Sequence, residues 1–288
     1  FPEVLANFNN DRTYIFAIKA TEDHKTLQEL EGLFAKIFEL KPNRDDIIIA
    51  IGGGLTTNIG GLAATLIMRG IRFYYVPTTL TGQIDASIGS KLAVNYKDAK
   101  NWIGTINDPE FCYVNTAFLR TLSPRDFSSQ IIEGIKLALA TDQKLFHEIL
   151  ANVQTIERSP QELSSFIIKM INAKIHIVEQ DLTEENYGMS MLYGHTIGHA
   201  IEMLDHRNIN HGEGVGIGML IAARISNMMN IASSELVDAH RQILLELNLP
   251  DKIPDYLDPK AILTKLAHNK KNYQGNIRFV LLKNLGQM

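Results

Sequence analysis

Two imidazoles one helical turn apart carry the strongest chemical reading of this sequence: His195-Thr196-Ile197-Gly198-His199. A spacing of i and i+4 puts both rings on one face of a helix. His211-Gly212-Glu213 follows near the start of the next helical pattern, and Glu133 sits on an earlier one. Neutral imidazole and carboxylate are the usual ligands of a zinc-like divalent ion, and a catalytic site keeps three protein ligands and an open position. The histidine pair taken alone fits a solvated helix face equally well. Gly194, Gly198 and Gly212 tilt the reading toward a site. Glycine in a helical pattern costs about 1 kcal/mol and implies that something approaches closely. Thr196 stands where a HExxH protease carries its general-base glutamate, so that chemistry is excluded.

Two further clusters join this one. Gly52-Gly53-Gly54-Leu55-Thr56-Thr57-Asn58 follows a short apolar run. Glycines there let the backbone approach a pyrophosphate, and the next helix would present free N–H groups at its positive end. The spacing is not that of the common GxGxxG fingerprint, and a plain tight turn is the competing reading. The second cluster is cationic and polar: Lys91, Asn95, Lys100, Asn101, Lys136 and Lys174. Lys136 follows Glu133 by three positions, so ammonium and carboxylate share a helix face. Scattered lysines are ordinarily solvated, but aimed at one pocket they suit a phosphorylated substrate.

The elements that must position these groups fall into two halves. Residues 13–18 (TYIFAI) read as a strand and 27–40 as a helix with an apolar face at Leu27, Leu30, Leu33, Phe34, Ile37 and Phe38. Residues 47–51 (IIIAI) read as a strand buried on both sheet faces, 58–68 as a helix and 71–76 as the next strand. Strand, glycine turn, helix and strand make a βαβ unit. From about Ser123 the pattern turns helical, with apolar spacing of three and four over 127–140, 163–178, 194–204 and 214–230. Residues 183–186 and 205–210 read as polar connections, and 276–283 as a short final strand. The expected fold class is α/β, with an α/β domain over 1–122 and a helical domain over 123–288.

Composition removes whole classes of function. The 288 residues are 45% hydrophobic and 21% charged, which excludes a disordered chain. Lys and Arg number 28 against 32 Asp and Glu, a net charge of −4 without long runs, so no basic groove for nucleic acid is expected. No apolar run approaches the roughly 20 residues that span a bilayer. The single cysteine, Cys112, forms no intrachain disulfide, which points to a reducing compartment and a cytoplasmic protein. A start at Phe1 reads as a trimmed chain.

Taken in order, the motifs resemble those of the sugar phosphate cyclases, the 3-dehydroquinate synthase superfamily. They are Glu22-Asp23-His24-Lys25, the GGGLTTN turn, Arg69-Gly70-Ile71-Arg72-Phe73, VPTTL at 76–80 and DASIGSKLAVN at 85–95. Lys100-Asn101, FLRTL at 118–122, Glu133-Gly134-Ile135-Lys136, GHTIGHAIE at 194–202 and His211-Gly212-Glu213 complete them. The resemblance implies a Rossmann-like NAD-binding domain followed by an all-helical metal-binding domain. It also implies NAD reduced and reoxidised within one turnover, a zinc or cobalt ion, and a homodimer. By that likeness Glu22, Lys25, Gly53, Gly54, Leu55, Thr56, Thr57, Asn58, Thr78, Thr79, Lys91, Lys100 and Thr121 would contact NAD. Glu133, His195 and His211 would hold the metal. His199, Lys136, Asp85, Lys174, Asn101 and Lys271 would face the substrate, and Arg69 would reach its phosphate across the dimer.

Departures from the family pattern bear on the substrate. Dehydroquinate synthases carry an Arg and an Asn before the metal-binding histidine, where this chain has Gly188 and Leu192. Their glycine turn ends in Asp, whereas this one ends in Asn58. The 2-deoxy-scyllo-inosose synthases are more similar there, although they carry a Glu in place of Leu192. The expected substrate is therefore glucose 6-phosphate; the alternatives are 3-dehydroquinate synthase, acting on a heptulosonate phosphate, and another cyclase acting on a heptulose phosphate. A polyol dehydrogenase and a non-catalytic relative are the alternatives of a different class.

Overall fold

The structure is a computed structural model that describes residues 12–97, 99–156, 159–185, 187–205, 208–267 and 277–287. Its first half is built on α1 (Leu27–Glu39), β1 (Ile47–Gly52), α2 (Gly54–Leu66) and β2 (Arg72–Pro77), with a short β5 (Phe111–Cys112). Strand β2 lies between β1 and β5, and both pairings are parallel. Ala50 on β1 packs so tightly under α2 that a Cβ at Gly60 would lie 2.7 Å from its own Cβ. An antiparallel hairpin of β3 (Lys91–Tyr96) and β4 (Ala99–Ile106) forms a separate two-stranded sheet. It is tied back to α2, where Asn58 Oδ1 accepts a hydrogen bond from the Ala93 N–H at 3.1 Å.

The second half is helical: α3 (Pro124–Thr141), α4 (Gln143–Ile156), α5 (Pro160–Gln180), α6 (His195–Asp205), α7 (His211–Met228), α8 (Ser234–Glu246) and α9 (Pro259–Ala267). Local chemistry sets the starts of the important ones. Ser123 caps α3 by accepting from the Asp126 N–H, and Pro124 takes the first helical position. Asn210 and Glu213 close a reciprocal capping box on α7, each side chain accepting from the other's backbone N–H at 3.0 Å. Helix α3 runs through the main apolar core, and its residues 131–140 are all buried.

Several expected elements differ. Residues 13–18 form no strand; Tyr14 and Ile15 are exposed, while Phe16 and Ile18 pack on the first-half core. Strand β1 is not buried on both faces: Ile47 is 41% and Ile49 38% exposed, on the side away from α2. Helix α2 starts at Gly54 rather than residue 58, so the glycine turn itself supplies its first turn. Helix α7 starts at His211 rather than 214, at its capping box. Residues 277–282 form no strand; this segment is held by packing and by the Ser226 hydroxyl, which donates to the Leu282 carbonyl.

Glycine brings α6 and α7 into backbone contact. A Cβ at Gly218 would lie 2.0 Å from the Gly194 carbonyl oxygen, and one at Gly198 would lie 2.9 Å from Gly214. Gly32 on α1 faces open space, with nothing within 4 Å of an added Cβ. Gly218→Ala should therefore lower unfolding stability by about 1–3 kcal/mol or more through overpacking. Gly32→Ala should raise it by about 0.5–1 kcal/mol through backbone entropy. Urea unfolding of both variants checks this, and a shift of the same sign in both would contradict it.

Candidate active site

Helices α3, α6 and α7 converge on one cluster, in which Glu133 is buried and the three histidines are partly exposed. Glu133, from the middle of α3, is 1% exposed. Its Oε1 lies 3.2 Å from His211 Nε2 and 3.7 Å from His195 Nε2, and its Oε2 accepts from the Lys136 ammonium. His195 and His211 are the first residues of α6 and α7, so the glycine contacts that press these helices together also set the distance between the two rings. A Cβ at Gly212 would fall 1.8 Å from the Ser129 carbonyl oxygen, so α7 also starts hard against α3.

The ring tautomers follow from what each nitrogen faces. His195 Nδ1 lies 3.1 Å from the Tyr193 carbonyl, which can only accept, so Nδ1 carries the proton and Nε2 presents a lone pair to Glu133. His211 Nδ1 lies 3.1 Å from Glu202 Oε2, which orients that ring in the same sense. The His199 ring centre is 4.9 Å from that of His195 and 5.5 Å from that of His211. Ligand atoms of the three histidines all lie within 4.8 Å of one another.

Electrostatics separate the three rings. Burial, then the nearby Lys136 ammonium, pushes the His195 imidazole down to about 3. Burial and the other two histidines hold His199 well below the ordinary range, so it is neutral. Burial also opposes charge on His211, but the flanking carboxylates of Glu133 and Glu202 outweigh it and push that imidazole up. Burial would likewise protonate Glu133, yet Lys136 and the two histidines keep it well below the usual carboxylate range. The cluster thus sets one carboxylate, paired with Lys136, beside two neutral imidazoles and a third, His211, that its two carboxylate neighbours draw toward its charged form.

Around this cluster the polar set spans the two halves. Lys91 on β3 lies 2.7 Å from Glu184, Lys100 on β4 lies 2.9 Å from Glu202, and Asp85 accepts from Lys174 on α5. Asp85 lies in a π-turn, Gly82–Ala86, directly after β2 and its Thr78-Thr79 end. The Thr79 side chain accepts from the Gly82 N–H and packs on Gly53, whose added Cβ would meet it at 3.0 Å. Gly53 caps α2 without a side chain, which leaves the N–H groups of Gly54, Leu55 and Thr56 uncapped by any side chain. Thr57 turns inward, its hydroxyl bonding to the Gly54 carbonyl. At the hairpin, Lys25 donates to Asn101 Oδ1 at 2.6 Å and Asn95 donates to Glu22 Oε1 at 2.9 Å.

Some expected residues stand apart. Asn58 uses its side-chain oxygen on β3 and so serves the fold. Arg69 lies on the exposed turn after α2 with φ of 67°, and no described contact links it to the histidines. Thr121 ends a 3₁₀ turn, where its hydroxyl bonds to the Phe118 carbonyl. Lys271 lies outside the described residues. Sequence reasoning passed over Glu202, although it follows His195 and His199 at i+7 and i+3 on one helix face. It also passed over Arg125, which grips Glu213 through Nε and Nη2 at 2.7 and 2.8 Å and so anchors the start of α7.

Comparison with known proteins places this geometry. Residues 15–129 match the family described as 3-dehydroquinate synthase N-terminal, and 131–272 match 3-dehydroquinate synthase C-terminal. The chain belongs to the 3-dehydroquinate synthase superfamily. Its 3-dehydroquinate synthase relative from Synechocystis is 38% identical over 94% of this chain and 76% of its own length. The 2-deoxy-scyllo-inosose synthase of Niallia circulans is 36% identical over 95% of this chain and 76% of its own. A crystal structure of 2-deoxy-scyllo-inosose synthase complexed with carbaglucose-6-phosphate, NAD+ and Co2+ superposes with a TM-score of 0.86 at 33% identity, covering 95% of this chain and 76% of that one. The two-part, mixed α/β and helical architecture matches these neighbours, and the family is that of the sugar phosphate cyclases.

The buried Glu133–Lys136 pair can be tested without cofactors. Lys136→Met leaves Glu133 in the core without its ammonium, which should cost about 3 kcal/mol in metal-free protein. Denaturant unfolding measures this; unchanged stability would show that the histidines alone satisfy the carboxylate.

Proposed function

We propose that this protein is an NAD- and metal-dependent sugar phosphate cyclase that acts on glucose 6-phosphate, in the manner of 2-deoxy-scyllo-inosose synthase. The observation that carries the metal assignment is Glu133 Oε1, a buried oxygen with no hydrogen-bond partner. It stands 3.2 and 3.7 Å from the Nε2 atoms of His211 and His195. Two ligands bound tetrahedrally at zinc distances lie about 3.3 Å apart. Glu133, His195 and His211 therefore fit a zinc or cobalt ion, and His199 is left for chemistry. The uncapped start of α2 and the close backbone at Gly53 and Gly54, with Thr79 against Gly53, suit the pyrophosphate of NAD in a Rossmann-like first half, and by the family likeness Thr78, Glu22, Lys25 and Lys91 would also contact NAD.

When bound, NAD supplies a hydride acceptor and donor, and the metal supplies a Lewis acid for sugar hydroxyls. The reaction loses phosphate by elimination and closes a carbocycle by intramolecular aldol addition. This chain's residues supply positioning and proton transfer. Lys136 and Lys174 bring ammonium groups to the pocket for the phosphate, and Asp85 holds Lys174 in place. Asn101, on the hairpin, offers an amide to a sugar hydroxyl. Burial keeps His199 neutral, so Nε2 or Nδ1 can accept a proton from the substrate and return it later. Arg69 of a second protomer would reach the phosphate in a homodimer.

Gly188 supports the choice of an uncarboxylated sugar. Its N–H donates to Asp181 Oδ2 at 2.9 Å, and an added Cβ would lie 2.6 Å from the Asp181 carbonyl oxygen. The turn before α6 thus has no room for an arginine, and Leu192 offers no hydrogen bond. A buried carboxylate without such a partner costs several kcal/mol. The second reading, 3-dehydroquinate synthase acting on a heptulosonate phosphate, is favoured by the Synechocystis relative at 38% identity.

Phosphate release with each substrate decides between them. The proposal expects a larger kcat/KM for glucose 6-phosphate; a tenfold advantage for the heptulosonate, about 1.4 kcal/mol, would establish the second reading. NAD should stay oxidised on average through steady turnover, and NADH accumulating in proportion to product would contradict the cyclase reaction. His211→Ala should lose bound metal and activity together, and stoichiometric metal in that variant would refute the ligand set.

A further inference from the structure

Glu202 has no place in the set that touches substrate, yet both its oxygens are committed. Oε2 lies 3.1 Å from His211 Nδ1, the ring nitrogen that faces away from Glu133. Oε1 accepts from Lys100 Nζ at 2.9 Å, and that ammonium also lies 3.9 Å from Glu22. The Glu202 side chain is 14% exposed and that of Lys100 is 26%, so this link is shielded more than a surface ion pair. It also crosses the molecule: His211 is on α7, Glu202 on α6, and Lys100 on β4 of the first half. A carboxylate opposite Nδ1 makes that nitrogen the donor and leaves the Nε2 lone pair for Glu133's side of the ring. Metal-bound histidines commonly need such a partner to fix tautomer and ring orientation.

We propose that Glu202 is a positioning residue for His211, and that Lys100 holds Glu202 in place from the other half of the molecule. The orientation of one metal ligand then depends on the two halves meeting. This rests on the proposed metal site of Glu133, His195 and His211, and it adds two residues to what builds that site. Lys91–Glu184 and Asp85–Lys174 also join the halves, but neither touches a ligand of that site in the described contacts.

The test is Co2+ titration of the metal-free protein, read by its visible absorption bands and by competition with a chelator. Glu202→Ala should bind Co2+ about 10–100-fold more weakly, with altered bands. Glu202→Gln keeps an acceptor for the His211 Nδ1–H in nearly the same volume, and should recover most of that loss. Lys100→Met should weaken binding in the wild-type background and have no further effect beside Glu202→Ala. Glu202→Ala binding Co2+ as tightly as wild type with unchanged bands would overturn the proposal. Equal weakening by Lys100→Met with and without Glu202 would overturn the part given to Lys100. Wild-type protein that binds no Co2+ would overturn the metal site itself, which separates that failure from the others.

Discussion

A carboxylate in the middle of a helix that runs through the core is the constraint on which this structure turns. Glu133 is almost wholly inaccessible, and an isolated charge there would protonate or unfold its surroundings. Lys136 answers one oxygen from the same helix face, and the second oxygen is left facing two imidazole nitrogens. A buried carboxylate of this kind is tolerated only when positive or donating groups surround it, as Lys136 and His211 do here. The surrounding fold holds two histidine nitrogens 3.2 and 3.7 Å from this oxygen.

That distance is set by backbone, not by side-chain packing. Helices α6 and α7 meet through Gly194, Gly198, Gly214 and Gly218, and α7 meets α3 through Gly212 at Ser129. Any side chain at these contacts would drive the helices apart and carry His195 and His211 away from Glu133. The capping box at Asn210 and the Arg125–Glu213 pair then fix where α7 begins, which fixes the height of His211 along the helix. Between the two halves, lysines and carboxylates pair with one another.

Much of this was legible in the sequence. The i, i+4 histidines, the glycine turn after an apolar run and the shared face of Glu133 and Lys136 are local patterns, and local patterns translate directly into helix faces and turns. The glycine argument also held, because the close approaches are real distances in the structure. What sequence missed was mostly non-local. The β3–β4 hairpin is fixed by pairing and by Asn58 reaching Ala93, neither of which leaves a periodic signal. Residues 13–18 have strand-like composition, but composition cannot supply a partner strand. Two misses were readable all the same: Asn210 and Glu213 have the spacing of a capping box, and Glu202 lies on the histidine face of α6.

The central claim is that one carboxylate oxygen and two imidazole nitrogens, from Glu133, His195 and His211, hold a divalent ion while His199 stays free. A crystal structure of the cobalt-loaded protein, with anomalous difference density at the cobalt edge, tests it most directly. The account predicts a single anomalous peak within bonding distance of Glu133 Oε1, His195 Nε2 and His211 Nε2. A peak bound by His195, His199 and His211, with Glu133 paired only to Lys136, would contradict it.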